Sequence, residues 1–229
     1  MQHVFGPEES WPAQDLIGFS TEFDAWLVSA AYQSGVFPMP LIQTSAYREM
    51  GWWSPMQRGI LPLDGVRVTR SLRKSAKRYR TTVDAAFTQV MRRCADPDRV
   101  GGWITDEIID VYTELHEAGA AHSVEAWDAE GHLVGGLYGV TFGGLFAGES
   151  MFHDPEFGRD ASKVALLRLV GILTAGVPAD ELDQHRLLDV QWRTDHLATL
   201  GVVELPRSEY LARLDRVLDA SPPVFAQDS

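Results

Sequence analysis

The sequence predicts an α/β protein in which a small N-terminal cap domain precedes a larger domain built on a mixed sheet with flanking helices. The first sixty residues are rich in Trp, Pro and Gly and show one helical pattern, which is typical of a cap held by aromatic packing. Three consecutive strand patterns, separated by short turns, follow in the second half of the chain. Helix and strand patterns then alternate towards the C-terminus, which is the order expected of a mixed sheet.

We place the boundary so that the cap covers residues 1–62 and the larger domain residues 63–229. In the cap, a helix is predicted over Asp24–Gln33, and the other segments are expected to be irregular. The elements predicted for the larger domain are, in order, a strand over Val66–Thr69, a basic helix, helices over Val83–Cys94 and Asp106–Glu117, strands over Ala121–Trp127, Leu133–Thr141 and Leu145–Phe152, a helix over Asp160–Leu173, a strand over Leu187–Gln191, a short helix capped by Thr194 or Asp195, a strand over Val202–Leu205, and a helix over Arg207–Leu218.

Composition excludes several classes of protein. The chain has 229 residues, of which 45% are hydrophobic and 23% charged, so it can bury a sizeable core. No apolar run reaches the roughly 18 residues of a membrane span, and the first residues lack the features of a signal peptide, so we expect a cytoplasmic protein without membrane contact. Because Cys94 is the single cysteine and the seven histidines fall in no metal-binding spacing, we also predict no metal.

Positive charge is concentrated in one short segment of an otherwise acidic chain. The net charge of −12 argues against general nucleic-acid binding, yet seven of the 20 basic residues lie between Arg67 and Arg80, with no acidic residue among them. Four of them share the spacing i, i+4, i+7 and i+8, which is one face of a helix: Arg70, Lys74, Lys77 and Arg78. The segment is either a solvated helix face or a phosphate-binding stripe.

Two strand patterns carry polar residues where a buried strand is normally apolar. They are Gly143–Phe152, which contains Glu149, and Leu187–Gln191, which contains Asp189. Burying an unsatisfied polar group costs about 1 to 3 kcal/mol, so these side chains need partners or a substrate. The period of two in a strand places Asp189 and Gln191 on the same face. They form either a satisfied hydrogen-bond network or part of a site.

Longer strings of sequence point to a family. In order, they are AYQSGVFP, GWWSP, SLRK, GWITDEIIDVYTELHEAGAAHSVEAW, LVGGLYG, FAGESMF, ASKVALL, LLDVQ and HLATLG. Over roughly residues 24–215 they resemble the leucyl/phenylalanyl-tRNA-protein transferases. The resemblance implies an aminoacyltransferase that moves Leu or Phe, with Met as a further candidate, from aminoacyl-tRNA to the N-terminal Lys or Arg of a protein, marking that protein for degradation. It also implies an acetyltransferase-like (GNAT-type) catalytic domain that uses neither a metal nor CoA.

The resemblance assigns catalytic and acceptor-binding roles to the polar residues of the two strands. Asp189 and Gln191 match the catalytic positions, and we expect Gln191 to orient the attacking amine while Asp189 polarises it. Glu149 matches the acidic position that receives the cationic acceptor, and a salt bridge to an arginine of the protein is the alternative. For Glu149 to share a cavity with Phe146 and Phe152, the strand must bulge near Gly148, because strict alternation places the carboxylate on the opposite face.

Further positions match binding residues of the family. The amino-acid pocket positions are Leu137, Phe146, Phe152, Leu166 and Leu169, and without the resemblance all five would be assigned to the plain core. The aromatic positions at the adenosine end of the tRNA are Tyr32, Trp53, Trp103 and Tyr112. The tRNA backbone positions are Arg70, Lys74, Lys77 and Arg78. Met39 stands where the family usually has an aromatic residue.

Two other functions stay open on the sequence. An acetyl-CoA-dependent N-acetyltransferase needs a turn of the form Q/R-x-x-G-x-G/A, which presents backbone N–H groups to the pyrophosphate, whereas the corresponding junction here reads FGRDASK with a single glycine. A non-catalytic RNA-binding domain would account for the basic segment. It leaves Glu149, Asp189 and Gln191 without a purpose.

Overall fold

The computed structural model describes residues 4–44, 47–96 and 102–226. Its N-terminal part contains helix α1 (Ala25–Gln33) and three antiparallel strands, β1 (Leu16–Ser20), β2 (Phe37–Thr44) and β3 (Tyr47–Trp53), with β3 in the middle. The Asp24 carboxylate caps α1 by accepting a hydrogen bond from the Leu27 N–H at 2.7 Å. The predicted helix is confirmed. The expectation of irregular segments around it is wrong, because the prolines and glycines that suggested turns lie within the strands of this short sheet.

Among the described residues, the larger sheet has seven strands. These are β4 (Gln57–Ile60), β5 (Arg80–Val83), β6 (Ala121–Trp127), β7 (Leu133–Phe142), β8 (Leu145–His153), β9 (Leu187–Asp189) and β10 (Val203–Pro206). Their spatial order is β10-β4-β9-β8-β7-β6-β5, in which β8 and β9 run parallel and the other described pairs are antiparallel. The predicted fold class, a mixed sheet with flanking helices and a small N-terminal part, is confirmed. The division at residue 62 stays a prediction, and β4, which precedes it, belongs to the larger sheet.

Helices cover both faces of the larger sheet. They are α2 (Arg70–Ala76), α3 (Phe87–Cys94), α4 (Asp106–Glu117), α5 (Ala161–Thr174), α6 (Leu182–His185), α7 (Asp195–Leu200) and α8 (Arg207–Leu218). On one face, a core joins α1, α3 and α4 to the sheet, and a second core packs α5 against the opposite face. A third cluster holds α8 at the β4 and β9 side. No single described helix is long and apolar enough to cross a membrane; α5 and Ala179–His185 pass that test only together, as a pair bent by 94°.

Three predicted elements differ from the structure. Val66–Thr69 is not a strand, and Thr69 instead caps α2 by accepting a hydrogen bond from the Leu72 N–H at 3.1 Å. The helix predicted from Val83 begins at Phe87, because the preceding residues pair with β6 and Asp84 adopts a left-handed φ of 56°. The strand predicted to reach Gln191 ends at Asp189. The strands predicted over residues 121–152 and the last helix are confirmed.

Candidate active site

A bulge in β8 aims Glu149 out of the regular strand. Tyr138 of β7 pairs with Ser150 and the next residue, Gly139, pairs with Gly148, so Glu149 is the extra residue on β8. Such a bulge redirects a side chain and is frequent beside active sites. The bulge lies where it was expected, next to Gly148.

The same bulge separates the two phenylalanines that were expected to share a pocket. An inserted residue inverts the alternation of the strand, so side chains before and after it that would share a face lie on opposite faces. Phe146 is accordingly buried in the core under α5, with its ring 5.7 Å from that of Phe225. Phe152 is buried in the core of the other face, where the Arg93 guanidinium lies 5.0 Å from its ring. Met151, the neighbour of Phe152, faces the α5 side instead.

The Glu149 carboxyl group is held at both oxygens. The Gln191 amide donates to Oε1 at 3.1 Å, and the Tyr112 hydroxyl lies 3.4 Å from Oε2. The hydroxyl of Tyr32 lies 2.6 Å from that of Tyr112. Burial raises the pKa of Glu149 to about 8; Asp189 raises it further, whereas hydrogen bonds from the two tyrosines and the charge of Arg58 oppose the rise. Burial also raises the pKa of both phenols, so Tyr32 and Tyr112 remain hydrogen-bond donors.

Asp189 is fully buried against Arg58 rather than facing a cavity. The Arg58 guanidinium donates from Nε to Oδ1 at 2.8 Å and from Nη2 to Oδ2 at 2.5 Å, and it is stacked between the rings of Phe37 and Tyr210 at 4.7 and 4.4 Å. Tyr210 also donates its hydroxyl to Oδ2 at 3.1 Å. The expectation that Asp189 and Gln191 stand side by side on one strand face is therefore wrong, because the strand ends between them.

The turn after β9 presents Gln191. Its backbone N–H donates to Asp189 Oδ1 at 2.9 Å, and its φ of 58° is left-handed, which is uncommon for a residue other than glycine. Gly59 lets this turn approach β4: a Cβ atom there would lie 2.9 Å from the backbone of Trp192 and Arg193. Asp189 thus fixes the turn, and the turn directs the Gln191 amide to Glu149.

Two adjoining cavities open beside these residues. The first has a volume of about 130 Å³ and an almost wholly aliphatic lining. Of the five predicted pocket residues, Leu137, Leu166 and Leu169 line it, whereas Phe146 and Phe152 do not. The lining residues that sequence reasoning missed are Leu61, Ser150, Met151, Leu188, Val190, Leu197 and Val202. Several of them follow strands or lie in short elements, so no local sequence pattern indicated that they would line a cavity.

The second cavity, of about 200 Å³, is lined by aromatic side chains and shares Glu149, Val190, Gln191 and Leu197 with the first. Trp103 lines it, as do Phe37, Met39 and Trp192, of which Phe37 and Trp192 were missed. Trp53 packs behind, with its ring 5.8 Å from that of Trp192. Tyr32 and Tyr112 are 1% and 0% exposed and are not stacking surfaces. Their predicted contact with adenosine is replaced by the contact with Glu149.

The four predicted phosphate-binding residues are all exposed. Only Arg70 and Lys74 lie within α2, because the helix ends at Ala76; Lys77 is its C-cap, and Arg78 donates to the Ser75 hydroxyl at 3.0 Å. The prediction that all four residues share one face of a continuous helix is therefore wrong. The residues nevertheless form one solvent-exposed basic segment, defined here as residues 70–78.

A histidine cluster lies elsewhere, at the start of β6. Ligand atoms of Asp84, His116 and His122 lie within 4.8 Å of one another. They are engaged with each other and with backbone: His122 Nδ1 lies 2.7 Å from Asp84 Oδ2, and His116 Nδ1 lies 2.8 Å from the Ala121 carbonyl oxygen. We assign this cluster a structural role.

Both parts of the chain match known proteins. Residues 60–215 match the family model described as leucyl/phenylalanyl-tRNA protein transferase, and residues 21–56 match the model of its N-terminal domain. A leucyl/phenylalanyl-tRNA–protein transferase of Pseudoalteromonas atlantica is 45% identical over 203 residues, covering 87% of this chain and 80% of the relative. The protein of that name from Salinibacter ruber is 46% identical over 198 residues, with coverages of 86% and 80%. A solved structure, L-PGS from Bacillus licheniformis, overlaps 74% of this chain and 52% of its own at 12% identity and a TM-score of 0.41.

Proposed function

The chain belongs to the leucyl/phenylalanyl-tRNA–protein transferase family, and from that premise we propose that it transfers leucine or phenylalanine from aminoacyl-tRNA to the N-terminal Lys or Arg of an acceptor protein. The new peptide bond marks the acceptor for degradation. One observation carries the proposal for the site: an aliphatic and an aromatic cavity meet at Glu149 and Gln191. An esterified amino acid has the same two halves, an apolar side chain and a nucleoside, joined at the bond that reacts.

The aliphatic cavity accepts the side chain of the transferred amino acid. Its described lining is apolar except for Glu149, Ser150 and Gln191. A polar side chain that enters the apolar part of the cavity would have an unsatisfied hydrogen-bonding group, at a cost of about 1 to 3 kcal/mol. Leucine and phenylalanine carry no such group. Methionine, which is flexible and apolar, is a further candidate.

The aromatic cavity accepts the terminal adenosine. Trp103 and Trp192 line it, and stacking a base on an aromatic ring contributes about 1 to 3 kcal/mol. The exposed basic segment at residues 70–78 then contacts the phosphates of the acceptor stem. Since phosphate contacts carry no sequence information, selection falls to the aliphatic cavity. A cytoplasmic location follows from the proposal, because aminoacyl-tRNA is made and used there.

Peptide-bond formation occurs where the cavities meet. The α-amine of the acceptor attacks the ester carbonyl carbon, and the ribose oxygen leaves. Gln191 orients the amine through its side-chain amide, which is a negligible base in water. Asp189 acts through the backbone: paired with Arg58, it fixes the turn that carries Gln191. Glu149 receives the cationic end of the acceptor, for which a carboxylate offers charge-assisted hydrogen bonds.

Transfer of labelled leucine from leucyl-tRNA to peptides that differ only in their first residue tests the proposal. We expect label on peptides beginning with Lys or Arg, and not on the same peptide beginning with Glu. Label transferred from acetyl-CoA instead, or tight tRNA binding without any transfer, would overturn it in favour of an N-acetyltransferase or an RNA-binding domain.

A further inference from the structure

Glu149 is the sole ionisable side chain among the described residues that line the two cavities. The other polar side chains of the lining are hydroxyls, indole N–H groups and the Gln191 amide. Asp189 does not line either cavity, and both of its oxygens are taken by Arg58, Tyr210 and the Gln191 N–H. A proton that must leave the reacting amine therefore has one side-chain acceptor within the described site.

The acceptor amine needs such a proton acceptor. An N-terminal α-amino group has a pKa of about 7.7 to 8.0, so near neutral pH it arrives mainly as an ammonium ion without a free lone pair. Resting on the function proposed above, we propose that Glu149 is the general base that takes a proton from the α-ammonium of the acceptor, and that Tyr32 and Tyr112 are positioning residues that hold its carboxyl group for this step. Glu149 then binds the acceptor and also activates it.

The step balances with one carboxylate. The α-ammonium loses its first proton to Glu149, and the freed lone pair forms the bond from nitrogen to the ester carbonyl carbon. When the carbon–oxygen bond to the ribose breaks, that oxygen takes the electron pair and a second proton from the nitrogen. The third proton stays on the new amide nitrogen. Glu149 releases its proton to solvent before the next cycle, so no further reactant is required.

The surroundings of Glu149 suit it to this exchange. The groups that face it come from four elements: Tyr32 on α1, Tyr112 on α4, Arg58 on β4 and Asp189 on β9, with Tyr210 of α8 behind Asp189. Burial and Asp189 favour the neutral carboxyl, whereas the tyrosines and Arg58 favour the carboxylate, and the pKa of about 8 is close to that of an α-amine. General bases are most efficient when their pKa lies near the working pH.

Both phenols lower the pKa of Glu149 through their hydrogen bonds. The Tyr112 hydroxyl lies 3.4 Å from the Glu149 carboxylate, and the Tyr32 hydroxyl lies 2.6 Å from that of Tyr112. Because each favours the charged form, removing the Tyr32 hydroxyl raises the pKa of Glu149. Because Tyr32→Phe keeps the ring that buries Glu149, a shift of that pKa reports the loss of the hydroxyl.

The test is single-turnover transfer from leucyl-tRNA to a saturating Arg-initiated peptide, measured between pH 6 and 9.5. For the wild type, we expect the rate to rise with pH as the carboxylate forms. Glu149→Gln should lower the saturating rate at pH 7 by about 10²-fold, the usual contribution of a general base, and the deficit should shrink above pH 9, where the amine is already neutral. Tyr32→Phe should shift the rise to higher pH. Tyr138→Phe is the matched control, because it removes a buried phenol whose ring lies 5.8 Å from that of Tyr112, and its profile should follow the wild type.

The outcomes separate the two proposals. If Glu149→Gln keeps the saturating rate and the pH profile and raises only the KM for the peptide, Glu149 binds the acceptor without activating it, and the inference is wrong. An unshifted profile for Tyr32→Phe refutes the positioning role, even where the Glu149 variant is too unstable to assay. A wild-type protein that transfers no leucine at any pH contradicts the proposed function itself.

Discussion

Replacing Asp189 by Asn tests how the buried ion pair supports the site. The substitution keeps the shape of the side chain and removes its charge, which leaves the Arg58 guanidinium, 1% exposed, without a counter-charge. Although burial alone would lower the pKa of Arg58, Asp189 holds it above its ordinary value, so the guanidinium stays charged. Breaking a buried pair from one side costs about 3 to 5 kcal/mol. For a chain of this length each kcal/mol shifts Tm by about 2 to 4 °C, so Tm should fall by about 6 to 20 °C.

Urea unfolding of a double-mutant cycle measures this coupling. The cycle compares wild type, Asp189→Asn, Arg58→Met and the double variant. We expect the double variant to be more stable than Asp189→Asn, because it removes the stranded charge along with its partner. Transfer should stay at least 10²-fold below wild type in the double variant, while charged-tRNA affinity stays within a few-fold, since the turn of Gln191 has lost its anchor. A coupling below about 1 kcal/mol would refute the reasoning.

Three further outcomes are expected. Met151→Ala enlarges the aliphatic cavity and should move the preference for Phe over Leu by about 1 to 3 kcal/mol in relative kcat/KM, whereas an unchanged ratio would place the side chain elsewhere. Lys77→Ala with Arg78→Ala should reduce the salt dependence of tRNA binding by about two phosphate contacts, with the exposed Arg92→Ala as the control that leaves it unchanged. Trp103→Ala should weaken charged-tRNA binding by about 1 to 3 kcal/mol, and an unaffected Kd would remove it from the adenosine site.

Sequence reasoning succeeded where a local pattern decides the structure. Strand-forming runs separated by short turns defined β6, β7 and β8, and the helical patterns of α4 and α8 predicted their bounds to the residue. It failed where pairing between distant segments of the chain decides the structure. The strands of the N-terminal sheet contain Pro38, Pro40 and Gly51, which mark turns locally but are accommodated here by neighbouring strands. Residues 80–83 form an edge strand because β6 offers them partners.

The same distinction separates the site residues that were predicted correctly from those that were not. Leu137, Leu166 and Leu169 reach the aliphatic cavity because they lie on regular elements whose inward face follows from their period. A single inserted residue, Glu149, sends Phe146 and Phe152 to opposite faces, and its position in the register depends on β7. The partner of Asp189 is Arg58, 131 residues away along the chain. Neither the register nor this pairing leaves a mark in the local pattern of residues.

The N-terminal part contributes to the site, beyond covering it. Tyr32 on α1 reaches the hydrogen-bond chain of Glu149, while Phe37 and Met39 on β2 line the aromatic cavity. The Arg58 guanidinium also donates to the Gly35 carbonyl oxygen at 3.1 Å, so the same buried charge links the loop after α1 to Asp189. A shift of α1 would therefore change the pKa of Glu149 and the anchor of the Gln191 turn together. The contact of α1 with the larger sheet thus joins the Glu149 carboxyl group and the pair of Asp189 with Arg58 to the N-terminal part of the chain.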